Sequence, residues 1–235
     1  MAASQSLPKE IFKAYDIRGI VDHTLTPTIV SAIGQALGSE AKARGLSTIV
    51  IGRDGRLSGP SLSQALAQGI QSTGINVIDV GMVATPMLYY AAHEWAGYSG
   101  VMVTGSHNPP EYNGLKMVLG GETLYGDTIQ ALRTRVEAGN LQKGQGKYSQ
   151  RSVTDDYLNG APGAYAPDLF RRLGCEVIEL FCEVDGNFPN HHPDPAHVEN
   201  LQDVIRTLKS SDAELGFAFD GDGDRLGVVT KEGNV

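Results

Sequence analysis

Ser99-Gly100-Val101-Met102-Val103-Thr104-Gly105-Ser106-His107-Asn108-Pro109-Pro110 is the stretch from which the fold of this chain can be read. The run at 99–103 is short and apolar, the pattern of a strand buried in a sheet. Gly105 ends it, and two prolines bar a helix from starting directly behind. The chain therefore leaves the sheet in a tight turn that presents one hydroxyl, Ser106, with the imidazole of His107 beside it. Tyr112-Asn113-Gly114-Leu115-Lys116-Met117-Val118 then re-enters an extended run and carries the cation Lys116 back toward that hydroxyl. A serine between a strand end and a returning cation suits a nucleophile or a phosphate carrier. A capped turn is the plain alternative, because Ser and Asn between Gly and Pro are ordinary loop chemistry. A serine-hydrolase elbow does not fit. It needs Gly two places before and two after the serine, where this chain has Thr104 and Asn108.

Upstream of that strand, helical and extended periods alternate. Thr26-Pro27 opens a helix that Gly45 ends, with Ile29, Val30, Ile33, Ala36, Leu37 and Ala41 at helical spacing. Thr48-Ile49-Val50-Ile51 reads as a buried strand, and Gly52-Arg53-Asp54-Gly55-Arg56 as the loop at its carboxyl end. Ser58-Gly59-Pro60 starts a helix running to about Gly74. A strand over 76–80 and a helix from Pro86 to about Ala96 lead into the serine strand. The expected fold class is therefore α/β, with mainly parallel but mixed sheets sandwiched by helices. In such sheets the active loops lie at the carboxyl ends of strands, which is where Ser106 stands. Arg53 and Arg56 lie at an equivalent edge and read as a solvated loop. The segment Phe12 to Gly19, if extended, puts Asp16 and Arg18 on one face and Lys13, Tyr15 and Ile17 on the other.

Downstream, a helix over 126–138 closes the first unit, and the polar stretch Gly139 to Ser152 reads as its exit. The organisation expected is a unit over 1–150 followed by a second over 151–235. The second has a helix from Ala164 to Leu173, a strand over 176–181 and a long loop from Asp185 to Pro195. A helix over 196–209 and strands over 215–219 and 226–230 complete it. The 235 residues allow one large or two small domains. Hydrophobic residues at 41% and charged residues at 20% are ordinary for a globular protein. A net charge of -8 argues against a nucleic-acid surface but leaves room for a local basic pocket. No apolar run reaches membrane-spanning length, and the first residues show no apolar leader. Cys175 and Cys182 flank one expected strand, too extended a spacing to bridge, and read as reduced core residues of a cytoplasmic protein.

The second chemical signal is Asp220-Gly221-Asp222-Gly223-Asp224-Arg225, directly after an apolar strand. Three carboxylates this close repel one another unless a cation sits among them, and oxygen ligands suit a hard ion such as Mg²⁺ or Ca²⁺. An EF-hand loop would need Gly at its sixth place and Glu at its twelfth, where Arg225 and Lys231 stand. A haloacid-dehalogenase-type phosphatase, with Asp220 as the phosphorylated residue, would leave the serine loop unexplained. His191, His192 and His197 lie in a Pro-rich loop and read as structural.

The serine loop, followed by Tyr112-Asn113-Gly114 and Lys116, resembles the phosphoserine loop of the α-D-phosphohexomutases, most closely their bacterial phosphomannomutase/phosphoglucomutase group. The resemblance extends to the aspartate loop, with Asp220, Asp222 and Asp224 matching the family's Mg²⁺ ligands. It implies an intramolecular phosphotransferase in which Ser106 carries the phosphate and also binds the metal. Lys116, Arg18 and Arg225 would stabilise charge, His107 would shuttle a proton, and Tyr15, Arg18, Asn108 and Lys116 would order the phosphate. Phosphosugars are the implied partners, and glucose 1,6-bisphosphate the activator that loads the serine. Two departures stand out. The family is longer, with four domains. Its second domain opens with an apolar strand ending in an Asn-Gly turn, whereas Asp156-Tyr157-Leu158 runs straight into Asn159-Gly160. The expected protein is therefore a fragment of a phosphohexomutase whose parent is an enzyme, or a shortened non-catalytic protein that keeps a Mg²⁺ and phosphosugar half-site.

Overall fold

Residues 7–153 and 162–235 are described by the computed structural model. The first helix, α1 (Pro27–Ala43), begins where the sequence places it. The Thr26 hydroxyl accepts a hydrogen bond from the Ile29 amide, and Pro27 fills a first-turn position that needs no donor. β1 (Ile17–Ile20), β2 (Thr48–Arg53), β3 (Asn76–Met82), β4 (Gly100–Val103), β5 (Tyr112–Leu119), the two-residue β6 (Glu122–Thr123) and β7 (Tyr148–Gln150) form one sheet. Its order is β1-β5-β4-β2-β3-β7, with β6 on β5. β2, β3, β4 and β7 run parallel, while β5 runs antiparallel to both β4 and β1.

Alternation along the central strands explains the layers. Ile49 and Ile51 of β2, with Val101 and Val103 of β4, face a core shared with α1, α2 (Gly59–Gln71) and α4 (Asp127–Glu137). Val50 and Met102 face the opposite core, under Leu88 and Ala91 of α3 (Thr85–Trp95). These strands are apolar throughout because both their faces are covered. Their carboxyl ends converge on one edge.

Two expectations about this unit are corrected. The polar exit at 139–152 contains β7, which pairs with β3 through Val77, Ile78 and Asp79. It is an edge strand with exposed side chains, so no apolar pattern marks it. The segment before β1 is not extended, because it turns through residues 14–16 and only Ile17–Ile20 joins the sheet.

The second unit has α5 (Pro162–Arg172), α6 (Gln202–Ser210) behind a 3₁₀ turn at Val198–Leu201, and a two-stranded antiparallel sheet of β8 (Leu215–Phe219) and β9 (Leu226–Thr230). Leu201, Leu208 and Val229 form its small core. The strand expected over 176–181 is absent, since those residues are irregular and mostly exposed. No neighbour is at hand among the described residues, where β8 and β9 pair with each other alone. Cys175 is consequently exposed rather than in a core, and both cysteines are free. The Asn159-Gly160 turn and its missing strand lie outside the described residues.

Candidate active site

β4 ends at Val103, and the next residues are shaped by a buried polar network. The Asp54 carboxylate, at the end of β2, accepts from the Thr104 hydroxyl at 2.8 Å and from the Gly105 amide at 3.0 Å. Thr104 Oγ1 in turn accepts from the Ser106 amide at 2.7 Å. Ser106 is held at a φ of +52°, a left-handed conformation that costs a non-glycine residue about 1–3 kcal/mol. The surroundings enforce it.

Arg56 does most of that enforcing. Its guanidinium pairs with Asp54 at 3.1 Å and donates to the carbonyls of Ser106 (2.8 Å), Asn108 (2.5 Å), Pro109 (2.5 Å) and Tyr112 (3.0 Å). A Cβ at Gly105 would lie 2.1 Å from that guanidinium, so only glycine lets the loop wrap it. The ring of Phe188 from the second unit lies 5.1 Å from the Arg56 Cζ. The solvated loop expected for Arg56 is thus a correction: the residue is 2% exposed. The signal available was position alone, because β2 lies next to the serine's own strand in a parallel sheet.

Onto this loop the second unit brings its aspartates. The Ser106 hydroxyl donates to Asp220 at 2.8 Å, and His107 Nδ1 lies 3.4 Å from the same oxygen. The other Asp220 oxygen accepts from the amides of Asp224 and Arg225, each at 3.1 Å. A Cβ on Gly221 would come 2.5 Å from the Ser106 carbonyl, so this approach requires glycine. Lys116 donates to Asp222 at 2.8 Å and also to Asp224. One carboxylate oxygen from each of Asp220, Asp222 and Asp224 falls within 4.8 Å of the others.

Electrostatics follow from burial. Asp220 is pushed up to about 6, first by desolvation and then by the charge of Asp222. Burial also pushes Asp222 upward, but Lys116 outweighs it and holds the carboxyl below its ordinary value. His107 is lowered by burial and by the charge of Arg225, so its ring is neutral at pH 7 and can take a proton. Arg18 pairs with Asp16 at 2.5 Å, and its second terminal nitrogen, Nη1, is buried with no partner among the described residues. Arg225 is exposed at the mouth. Asn108 closes the loop on itself, with its side-chain amide donating to the Gly105 carbonyl at 3.1 Å. Tyr15 stands apart, 77% exposed and with no hydrogen bond to the serine loop. Of the histidines, His191 bonds the His192 carbonyl at 2.9 Å and His197 lies 3.7 Å from Asp194.

The sequence matches the phosphoglucomutase/phosphomannomutase α/β/α domain I over residues 9–143 and domain II over 127–233. The chain belongs to the phosphoglucomutase/phosphomannomutase family. The phosphomannomutase/phosphoglucomutase of Pseudomonas aeruginosa is 52% identical over 254 aligned positions, covering 100% of this chain and 55% of that protein. The phosphoglucomutase of Neisseria meningitidis is 51% identical, covering 98% of this chain and 55% of its own length. A solved phosphoglucomutase/phosphomannomutase family protein from Burkholderia thailandensis superposes with a TM-score of 0.92 at 50% identity, over 97% of this chain and 56% of that one. The chain thus spans about half the length of these relatives. The Pseudomonas alignment sets 254 positions against 235 residues, leaving 19 positions at which this chain has no residue.

Proposed function

We propose that this chain forms the phosphoryl-transfer half of a phosphohexomutase, which interconverts hexose 1-phosphates and 6-phosphates through a phosphorylated Ser106. The observation that carries the reading is the Ser106 hydroxyl, held in a strained turn and bonded to a buried carboxylate of an acidic triad. A hydroxyl in a merely capped turn would face water or its own backbone.

The triad fits a divalent cation. Asp222 is fully buried, and among the described residues its Oδ1 has no hydrogen-bond partner although Oδ2 has two. An orphaned buried carboxylate oxygen is costly unless a cation takes it. Asp220, Asp222 and Asp224 would hold Mg²⁺, a hard ion that takes oxygen ligands. When bound, the ion neutralises the charge that spreads over a transferring phosphoryl group.

The protein's own groups supply the rest. The Ser106 Oγ–phosphorus bond breaks as a sugar hydroxyl oxygen bonds to phosphorus; the hydroxyl's proton passes to the neutral His107 ring and from it to the departing Ser106 Oγ, 3.4 Å away. Lys116 places a fixed cation beside the group in transfer, and Nη1 of Arg18, with no partner among the described residues, is a donor for a phosphate oxygen. The bisphosphorylated sugar then returns its other phosphate to Ser106 by the reverse steps. The partner of the site is thus a small phosphosugar, with a hexose 1,6-bisphosphate as the species that loads the serine. Among the described residues no helix is long and apolar enough to cross a membrane.

The half-length span favours a second reading for the isolated chain, in which it accepts phosphate but does not turn over sugar. One experiment separates the two. The chain is incubated with glucose 1,6-bisphosphate and Mg²⁺, its intact mass is measured, and hexose phosphate isomers are followed in parallel. One added phosphate mapping to Ser106, and absent from Ser106→Ala, is expected. Phosphate without isomerisation selects the second reading. No phosphate, or phosphate elsewhere, removes Ser106 from the chemistry.

A further inference from the structure

The amino end of α3 has no cap of its own. Ala84 in the capping place offers no side-chain acceptor, and Pro86 in the first turn has no amide proton. The partner comes from the other unit. The Thr85 amide donates to the Asp222 carbonyl at 2.9 Å, and the Thr85 hydroxyl donates to Asp222 Oδ2 at 2.6 Å. Thr85 is fully buried and Asp222 equally so. Two bonds from one residue therefore fix both the backbone and the carboxylate plane of Asp222. They also sort its oxygens. Oδ2 takes Thr85 and Lys116, and among the described residues Oδ1 is left bare and buried inside the triad.

We infer that Thr85 is a positioning residue for the metal centre: its hydroxyl turns the Asp222 carboxylate so that Oδ1 is the oxygen offered to a divalent cation. The inference rests on the metal reading above and goes further, because it assigns a role to a residue of the first unit that touches neither serine nor phosphate. Outer partners of metal-binding carboxylates work in this way. They fix which oxygen binds and at what angle, and their loss typically costs 10- to 100-fold in metal affinity. A hydroxyl that only capped the helix would be indifferent to the ion.

Threonine and valine are close in volume, so Thr85→Val removes the donor without opening a cavity, and Thr85→Ser keeps the donor while losing a methyl group. The test is calorimetric titration of the full 235-residue chain with Mn²⁺ alone, without sugar. Expected is a 10- to 100-fold weaker dissociation constant for Thr85→Val and a value within about threefold of wild type for Thr85→Ser. Thr85→Ala is the companion if the valine variant does not fold, and it should weaken binding as the valine does. Wild-type affinity in Thr85→Val overturns the assignment, and so does equal weakening in the serine and valine variants, which would show packing rather than the hydroxyl at work. A wild-type chain that binds no Mn²⁺ fails at the earlier step and removes the metal centre itself. Phosphate loading of Ser106, read separately by mass, keeps that failure distinct from failure of the mutase reading.

Discussion

Replacing Arg56 by methionine keeps the aliphatic stem and removes the guanidinium, so it tests what holds the serine loop in shape. Two costs can be worked from the structure. The Asp54–Arg56 pair is buried on both sides, with side-chain exposures of 2% and 1%, so solvent screens it little. Removing one partner of such a pair costs about 3–5 kcal/mol. The Ser106 carbonyl, buried and bonded to Arg56 at 2.8 Å, loses its donor for about 1–3 kcal/mol more. The carbonyls of Asn108, Pro109 and Tyr112 are only partly buried and can turn to water, so they are left out. A loss of at least about 4 kcal/mol remains, a large part of the 5–15 kcal/mol that ordinarily holds a domain. For a chain of this length it should lower the melting temperature by at least about 8 °C. The assay is thermal unfolding followed by circular dichroism, with amide exchange at Gly105 and Ser106 as the local readout. Both amides should exchange faster. Adding Asp54→Asn should restore part of the loss, because it removes the orphaned charge. A melting temperature within about 4 °C of wild type, with unchanged exchange at those two amides, would refute the account of Arg56.

Three further outcomes follow from the site. Divalent-cation affinity should fall as pH drops through about 6 and level off above it. Asp220 is raised from the ordinary carboxylate range to about 6 by burial and Asp222, so below that pH a proton competes with the ion. A Mn²⁺ titration from pH 5 to 8 checks it, and a flat profile speaks against Asp220 as a ligand. Gly221→Ala should weaken Mn²⁺ binding, because the new Cβ would sit 2.5 Å from the Ser106 carbonyl and push the aspartate loop outward. Unchanged affinity would mean the two loops need not touch. Lys116→Met should slow phosphate loading of Ser106 at least tenfold, read by time-resolved intact mass. The lost cation leaves Asp222 and Asp224 without their shared counter-charge.

Most of the first unit was legible because its elements satisfy local rules. The buried strands at 48–51 and 99–103 are apolar runs between glycine-bearing turns, and α1 carries its own cap. What was illegible depended on neighbours. Residues 176–181 have the composition of a strand, but a strand exists only through a partner, and none is present for it among the described residues. β7 shows the reverse: Tyr148-Ser149-Gln150 has no apolar pattern and is a strand only because β3 offers it an edge. The site divides in the same way. Ser106 and the three aspartates announce themselves through residue type and spacing. Arg56 does not, since a charged residue in a glycine loop reads as solvated until its surroundings are known. Thr85 carried no signal, its partner being 137 residues away.

The serine and the aspartates sit on opposite sides of a boundary between the two units, and the bonds across it are polar. Ser106 reaches Asp220, Thr85 reaches Asp222, and Lys116 reaches Asp222 and Asp224. An apolar seam would be indifferent to the electrolyte around it. Here the Lys116–Asp224 pair lies at the wet end, where dissolved salt screens it, whereas Ser106, Thr85, Asp220 and Asp222 are buried and screened much less. A divalent cation among the three aspartates would tie the second unit closer to the first, and scattering with and without the ion would read the change in dimensions.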